Sequence, residues 1–415
     1  MRLQFILFFC LALSLAGCKT DERTPGILNL TSDPIYNLNS EEHVLKIAVE
    51  SNMEWQVTGA TNWCQPDKLT GYGDDTLRLS IDANISSQQR TATFVLRNPD
   101  VRKAIRVNQA GSETEYHYQL PVIFHILYND ANSADQNVSA ERIYQIIDEC
   151  NAMYADAANS IDMNLEFVPA THDPEGNELP EPGIERIQWT SSITMNCDVF
   201  MKDKSMIPYV WDLNNYINIF VYNFTQTNTL GISYLPYTLS GNSLPGLKYG
   251  DSYLNDPTLS YPHCVSVNNK YALTEHPRLK VPDLTLTLTH ELGHYLGLFH
   301  VFIEDNNSTD YCDDTETYDR AAYETWLSSL TQPLPFSELV LRTSPESVVF
   351  TSYNIMDYDY SYLNQFTSDQ RLRVRHVLEN SPLIPGPKSD GSRSRSNPNL
   401  EKPEPRTIKW TRKFD

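Results

Sequence analysis

The pattern of apolar and polar positions divides the chain into regions of different character. An apolar run at residues 3–16 follows Met1 and Arg2, and it is too short to cross a bilayer. Over residues 27–111, short stretches alternate between apolar and polar with a period of two, most clearly at 77–81 and 105–107, which predicts strands. This first region is therefore predicted to be a small all-β sandwich.

A second domain is predicted where a new apolar segment begins at residues 120–128. Ser139 has the side chain of a helix N-cap, and the apolar residues after it recur at helical spacing. Further strands are predicted at 163–168 and 216–222. The order strand, helix, strand, strand predicts an α+β or α/β fold, so the whole chain is expected to be multidomain.

One segment gives conflicting signals. Residues 284–289 alternate Leu and Thr, a period of two that would predict a strand. Pro282 and Asp283 form a helix start signal, however, and apolar residues at intervals of four continue beyond the alternating stretch. A helix is therefore predicted here.

Composition narrows the function classes. The chain has 415 residues, with 53 acidic against 32 basic side chains and a formal net charge of -21, so nucleic acid is not expected as a partner. Charged residues make up 20%, whereas Tyr (24) and Pro (25) are frequent, a bias that favours an extracellular, loop-rich protein. The length exceeds one average domain and predicts two or three.

The end of the first apolar run suggests how the chain is exported. Residues 15–18, Leu-Ala-Gly-Cys, resemble the lipobox of bacterial lipoproteins. The resemblance implies a signal peptide at 1–17, a lipid on Cys18 and a linker to residue 29, and hence an outer-membrane lipoprotein exposed at the cell surface. The alternative is an ordinary signal peptide with a chance cysteine, which the small residues before Cys18 and the polar ones after it disfavour.

The strongest chemical signal lies at residues 290–300, which read HELGHYLGLFH. Four residues turn a helix through about 400°, so His290 and His294 lie on one face and can bind one metal ion. Gly297 can adopt a positive φ and let the chain turn back, which would bring His300 in as a third ligand. Three protein ligands leave a fourth position open, which is typical of a catalytic zinc.

The same residues resemble the elongated zinc motif of the metzincin metallopeptidases, with Met356 and Tyr358 in the position of the Met-turn that follows it. Residues 296–300, 312–315 and 366–371 make the pappalysin and cytophagalysin branch the best match. The resemblance implies an α+β catalytic domain at 117–380, with a mixed, mostly parallel sheet, an active-site helix and a C-terminal helix. Residues 381–415 lack apolar periodicity and are predicted to be a flexible tail, in which Ile408 and Trp410 could still dock.

The roles of the site residues follow partly from chemistry and partly from the resemblance. His290, His294 and His300 are expected to bind one Zn²⁺, and Glu291 to act as the general base on a zinc-bound water. By the resemblance, Tyr358 assists the oxyanion or is merely a packed aromatic, and Met356 forms an apolar floor below the metal. The strand near residues 265–268 is expected to be the edge that pairs with an extended substrate.

The first region also has a resemblance. Trp55, Trp63 and the segments 71–73 and 107–111 make residues 30–111 similar to a BACON domain, an immunoglobulin-like module of bacterial surface proteins. This resemblance implies contact with glycans or mucins. The alternative is a spacer with Trp55 and Trp63 in its core.

Two further features leave alternatives open. Residues 305–316 are dense in oxygen-bearing side chains, and either a calcium site or a solvated acidic loop is predicted here. The residues at offsets similar to those of an EF-hand are Asp305, Asn307, Thr309, Asp313 and Glu316. With Cys10 in the leader and Cys18 assigned to lipid, an odd number of cysteines remains, and spacing does not decide whether Cys264 pairs with Cys312 or Cys150 with Cys197. The five cysteines are Cys64, Cys150, Cys197, Cys264 and Cys312.

Two functions follow for the whole chain. The first is a membrane-tethered zinc metalloendopeptidase that hydrolyses extracellular proteins or glycoproteins. The alternative is a glycan- or host-protein-binding surface lipoprotein in which the metzincin core is an inactive scaffold. Because Glu291 is intact, the sequence favours the peptidase.

Overall fold

A computed structural model describes most of the chain after the leader. It covers residues 24–31, 34–61, 63–192, 194–250, 261–273, 283–304, 309–358, 360–389 and 406–409, with only the backbone described at 240, 250 and 407–409. The predicted signal peptide, the lipid anchor at Cys18, and Asp305 and Asn307 of the predicted calcium loop lie outside the described residues.

The first region forms two packed sheets. Its strands are β1 (Leu28–Leu30), β2 (Ile35–Leu38), β3 (His43–Ser51), β4 (Glu54–Thr58), β5 (Cys64–Pro66), β6 (Thr70–Tyr72), β7 (Asp75–Ile81), β8 (Arg90–Arg97) and β9 (Arg102–Gln109). The sheet orders are β1-β3-β7-β5 and β2-β9-β8-β4-β6. Alternate residues of β7 are buried, as the period of two predicts, and Trp55 and Trp63 lie in the core between the sheets. The predicted sandwich is confirmed.

The second region combines one large sheet with helices. Its strands are β10 (Tyr118–Tyr128), β11 (Leu165–Pro169), β12 (Ile184–Gln188), β13 (Thr194–Met195), β14 (Ile217–Phe224), β15 (Thr229–Ser233), β16 (Thr238–Leu239), β17 (Tyr249–Gly250), β18 (Val265–Asn268), β19 (Leu341–Thr343), β20 (Val349–Thr351) and β21 (Arg406–Lys409). Its helices are α1 (Ala140–Tyr154), α2 (Cys197–Phe200), α3 (Leu284–Tyr295), α4 (Arg320–Ser329), α5 (Phe336–Leu339) and α6 (Ser368–Asn380), with 3₁₀ turns at Lys204–Tyr209, Ser240–Asn242 and Asn269–Tyr271.

The large sheet is mixed and mostly parallel, as expected. Its order is β11-β10-β14-β18-β15-β21, with β12 also pairing with β10 and β13 with β14. The pairs from β11 to β18 are parallel, whereas β15 runs antiparallel to β18 and β21 runs antiparallel to β15. The predicted fold class, an all-β sandwich followed by an α+β domain with a mostly parallel sheet, is therefore confirmed.

Helices α1 and α3 pack together on this sheet. Ser139 caps α1 by accepting a hydrogen bond from the Arg142 backbone N–H, and the Tyr154 hydroxyl at the other end donates to the Thr289 carbonyl in α3. The helix prediction for α3 is correct. The hydroxyl groups of Thr287 and Thr289 donate hydrogen bonds to the backbone carbonyls four residues earlier, at 2.8 Å each. These bonds accommodate the threonines inside the helix.

Three further observations bear on the predictions. No helix among the described residues is both long and apolar enough to cross a membrane. The five cysteines left unassigned by the sequence are all free and buried. The flexible tail predicted at 381–415 is wrong in two places: Leu383, Ile384 and Lys388 are buried, and Arg406–Lys409 form a strand of the large sheet.

Candidate metal centre and active site

The end of helix α3 determines how the three histidines meet. Gly297 has a φ of +94°, and the chain closes the helix with two backbone bonds, Gly297 N–H to His294 O and Leu298 N–H to Gly293 O, both at 2.9 Å. This is the Schellman arrangement, in which a glycine takes the left-handed position. The chain turns back directly after it, and His300 returns beside His290 and His294.

The three imidazoles face one another through their Nε2 atoms. The Nε2–Nε2 distances are 3.1 Å from His290 to His294, 3.0 Å from His294 to His300 and 3.2 Å from His300 to His290. A tetrahedral zinc with nitrogen ligands at roughly 2.0–2.1 Å would place the nitrogens about 3.3 Å apart. The spacing of the three side chains therefore fits such an ion closely.

Hydrogen bonds on the opposite ring nitrogens determine which tautomer each histidine adopts. The Nδ1–H of His290 donates to the Ile355 carbonyl at 2.7 Å, and that of His294 donates to the Leu298 carbonyl at 2.8 Å. His300 Nδ1 lies 2.8 Å from a carboxylate oxygen of Glu304. With the protons on Nδ1, three Nε2 lone pairs converge in a buried space, which is the donor arrangement that a metal cation needs.

Burial keeps these side chains in the form that binds metal. All three histidines are almost fully buried, and burial lowers the pKa of His290 to about 4 and that of His294 well below its usual value. A buried imidazolium would be poorly solvated, so the neutral ring is favoured. His290, His294 and His300 are also the group that can hold a metal ion through at least three side chains, within the part of the chain that the structure describes.

Glu291 lies between helix α3 and strand β15. Its side chain is fully buried, and a Cβ built on Gly231 of β15 would lie 2.6 Å from Glu291 Cγ and 2.8 Å from Thr287 Cγ2. No side chain other than hydrogen fits at residue 231 without movement of the helix or the strand. Gly231 thus allows the backbone of β15 to pack directly against the side chain of Glu291, the candidate general base.

The turn that contains Met356 lies beneath α3. A Cβ built on Gly293 would lie 2.5 Å from Met356 Sδ, so the thioether packs against the backbone of α3 at Gly293. The Ile355 carbonyl of the same turn accepts the His290 proton. The side chain of Asn354 accepts from the Met356 backbone N–H at 2.9 Å and so fixes the turn.

Tyr358 lies beside two of the histidines. Its ring centroid is 4.6 Å from that of His300 and 5.7 Å from that of His290. The Arg320 guanidinium lies over the other part of the ring, 3.9 Å from the centroid, which is a cation–π contact. The structure therefore places Tyr358 next to His300 and His290.

Comparisons with known proteins bear on the same part of the chain. Residues 262–379 match the model of the M43 peptidase family, described as pregnancy-associated plasma protein-A. Residues 262–379 are thus similar in sequence to the peptidase domain of the pappalysins. Residues 53–110 match the BACON model, described as an N-terminal binding domain.

Individual proteins show the same similarity over shorter spans. An extracellular metalloprotease of Arthroderma otae is 37% identical over 94 residues, which is 22% of this chain and 31% of that protein. A second, from Arthroderma benhamiae, is 37% identical over 89 residues, 21% of this chain and 29% of that protein. The matched part thus spans less than one third of the length of these curated relatives.

Solved structures add one broader similarity. Mature mirolysin of Tannerella forsythia, solved in complex with a cleaved peptide, is 24% identical and covers 64% of this chain and 93% of its own, with a TM-score of 0.45.

The region that matches the peptidase model contains a buried ionic network that the sequence does not reveal. The carboxylate of Asp357, directly after Met356, accepts from the Tyr318 hydroxyl at 2.7 Å and from the Ser352 hydroxyl. The Arg342 guanidinium lies 3.5 Å from the same carboxylate, and both residues are almost fully buried. Burial is the largest single influence and lowers the pKa of Arg342, but the charge of Asp357 together with Tyr318 and Tyr323 raises the pKa above its usual value. No local pattern distinguishes these residues, because they are far apart in sequence.

Replacing Arg342 with Met is expected to destabilise the second region by roughly 3–5 kcal/mol, because the Asp357 carboxylate would stay buried without its cation. Urea unfolding of the variant and of the parent chain measures the difference. Lys204→Met, at an exposed position, is the matched control and should change stability by about 0.5 kcal/mol or less. A loss below about 1 kcal/mol for Arg342→Met would contradict the assigned role.

Glu304 is the second residue that the sequence did not reveal. It follows His300 by four residues, the spacing at which a side chain can reach back, and its carboxylate is 2.8 Å from His300 Nδ1. A carboxylate at this position orients the ring and makes Nε2 a better ligand. A carboxylate four residues after the last histidine of the motif is the signal that could have identified it.

One prediction about the substrate edge is wrong. Strand β18 (Val265–Asn268) lies inside the sheet, parallel to β14 on one side and antiparallel to β15 on the other. It therefore has no free edge for a substrate. Strand β15 follows β18 in the sheet order, and its Gly231 lies against the Glu291 side chain.

Proposed function

We propose that the protein is a zinc-dependent metalloendopeptidase. The observation that carries the proposal is the convergence of three buried imidazoles at the spacing of tetrahedral zinc ligands, beside the carboxylate of Glu291. His290, His294 and His300 would hold the ion. When bound, zinc supplies a Lewis acid that polarises a peptide carbonyl and makes a water molecule more acidic.

The chain's own residues would perform the proton transfers. Glu291 accepts a proton from the attacking water and passes it to the nitrogen of the leaving amine, so that one peptide bond is broken and one water is consumed. The hydroxyl of Tyr358, beside His300, donates a hydrogen bond to the oxyanion that develops on the carbonyl. Met356 provides the apolar floor below α3 and orients His290 through the neighbouring Ile355 carbonyl.

The location and substrates belong to the same proposal. A signal peptide at 1–17 and a lipid on Cys18 would place the enzyme on the outer membrane, exposed at the cell surface, where extracellular proteins or glycoproteins are its substrates. The names of the two relatives, extracellular metalloproteases, support a site of action outside the cell.

The sandwich at 30–111 would act between the anchor and the catalytic domain at 117–380. Its match to a module described as a binding domain supports glycan contact. Burial of Trp55 and Trp63 supports the spacer, because neither ring is available as a platform for a sugar. A calcium ion near residues 305–316 stays a prediction from sequence.

Metal analysis combined with a peptide-library cleavage assay tests the proposal. The chain from Lys19 onward is expected to contain about one zinc, to cleave library peptides, and to lose and regain cleavage when zinc is removed by a chelator and restored. His294→Ala should lose both zinc and cleavage, whereas His172→Ala, on an exposed loop, should retain both. Bound zinc without cleavage of any peptide would favour the alternative, a surface lipoprotein that binds glycans or host proteins through an inactive core.

A further inference from the structure

Strand β15 has a partner that belongs to the last residues of the chain. On one side it pairs with β18, and on the other it pairs with β21, Arg406–Lys409. Among the described residues, β21 is the terminal strand of this side of the sheet. Without it, the outer backbone groups of β15 would be available to an extended peptide, which can add to a sheet edge through main-chain hydrogen bonds.

The register brings β21 to the reactive centre. It runs antiparallel to β15, with Ile408 opposite Gly231 and Arg406 opposite Ser233. Gly231 is the residue whose Cα hydrogens face Glu291. Strand β21 is therefore separated from Glu291, the candidate general base, only by strand β15. It also contacts helix α3, which carries Glu291.

Arg406 connects β21 to the histidines through Glu304. Arg406 donates from Nη1 to Glu304 Oε2 at 2.6 Å, and Glu304 in turn lies 2.8 Å from His300 Nδ1. The Arg406 guanidinium also lies 5.0 Å from the centre of the Phe299 ring. Both partners of the ion pair are only partly exposed, so water screens it less than a pair on the open surface.

We propose that β21 is an intramolecular inhibitor that occupies, in cis, the sheet edge on which an extended peptide substrate would bind. This inference rests on the proposed peptidase function. The recognition uses backbone pairing and one ion pair, so the competing partner is an extended polypeptide rather than a small molecule or a glycan. Substrate must displace β21 before its own carbonyl can reach the histidines and Glu291.

Tethering makes this competition effective. Residues 390–405 connect β21 to the rest of the domain, and a segment on a short linker acts at an effective concentration of roughly millimolar. Even weak pairing then excludes much of the substrate at low concentration. Removal of the tail is therefore expected to lower KM by about tenfold or more with little change in kcat, because saturating substrate can displace β21.

The experiment compares the chain from Lys19 to Asp415 with a form that ends at Ser389. The truncated form should show the lower KM, and a synthetic peptide of residues 403–415 should restore competitive inhibition. In the full chain, Thr407→Pro/Ile408→Pro should act like truncation, because adjacent N–H groups point to opposite sides of a strand and one of the two must face β15. Ser394→Pro/Ser396→Pro, outside the strand, is the control and should leave KM unchanged.

A binding measurement separates this inference from the peptidase proposal. A fluorescent peptide of residues 403–415 is expected to bind the truncated form with Glu291 replaced by Gln, and to slow hydrogen exchange at the backbone amides of β15. Binding with protection supports the assignment even where no form cleaves a substrate, an outcome that would count against the peptidase alone. An unchanged KM on truncation, or no binding and no protection of β15, would overturn the inference.

Discussion

Replacing Glu291 with Gln is expected to lower kcat for peptide hydrolysis by roughly 10²–10⁴-fold while one zinc per chain is retained. The amide has almost the same shape as the carboxylate, so it fits beside Gly231 and Thr287, but it cannot accept a proton from water. The three imidazoles that would bind the ion are unchanged. Steady-state kinetics with one library-selected peptide, together with metal analysis of the same sample, measure both quantities.

The control for this variant is another Glu to Gln change in the same domain. Glu166, on β11, is close to half exposed and forms only surface contacts, so Glu166→Gln should keep both kcat and zinc. If Glu291→Gln retained more than about a tenth of the parent kcat, another group would have to serve as the base. If it lost zinc as well, the carboxylate would be needed for binding of the metal rather than for the proton transfer.

The central part of the site could be predicted because its information is local. The spacing of His290 and His294 requires only that α3 be a helix, and Gly297 supplies the turn that brings His300 back. These relations depend on residues within one helix and one turn, so the sequence alone determines them. The N-cap of α3 at Asp283 is local in the same sense, because its side chain accepts from the backbone N–H of Leu286 three residues later.

Relations between distant segments could not be predicted in the same way. The sequence does not state that β15 rather than β18 borders the site, because the order of strands in a sheet depends on long-range pairing. The pair of Arg342 and Asp357 is separated by fourteen intervening residues, with Arg342 on the short strand β19 and Asp357 in a loop. Composition also predicted a flexible tail, although four residues, Arg406–Lys409, suffice to extend a sheet whose edge is already formed.

These long-range contacts converge on one glycine. Gly231 separates Glu291, on one side of β15, from the strand β21 that pairs with its outer edge. A glycine inside a strand is unfavourable on propensity alone, since it loses more backbone entropy than other residues. Close approach of the helix side chains to the strand backbone is the physical reason for a glycine here. The effect of a larger residue therefore measures how precisely Glu291 must be held.

Replacing Gly231 with Val is expected to lower kcat/KM by at least about 100-fold with zinc binding intact. The added Cβ would lie 2.6 Å from Glu291 Cγ, so the carboxylate must move, and a displacement of about 1 Å in a catalytic group can cost two orders of magnitude. The histidines do not contact residue 231 through the added atom, so the metal should stay. Kinetics, zinc content and thermal unfolding of the same preparation distinguish a misplaced base from an unfolded domain.

Two companion variants make this result decisive. Gly231→Ala introduces only the Cβ and should show a loss of the same kind in a better folded protein, while Gly241→Val adds the same side chain where no atom lies within 4 Å of the new Cβ and should keep full activity. Valine also has a higher strand propensity than glycine, so a weakened β15 cannot account for the loss. Parent-like activity in both Gly231 variants would mean that Glu291 is not held against β15 during catalysis, and the geometry assigned to the candidate base would be wrong.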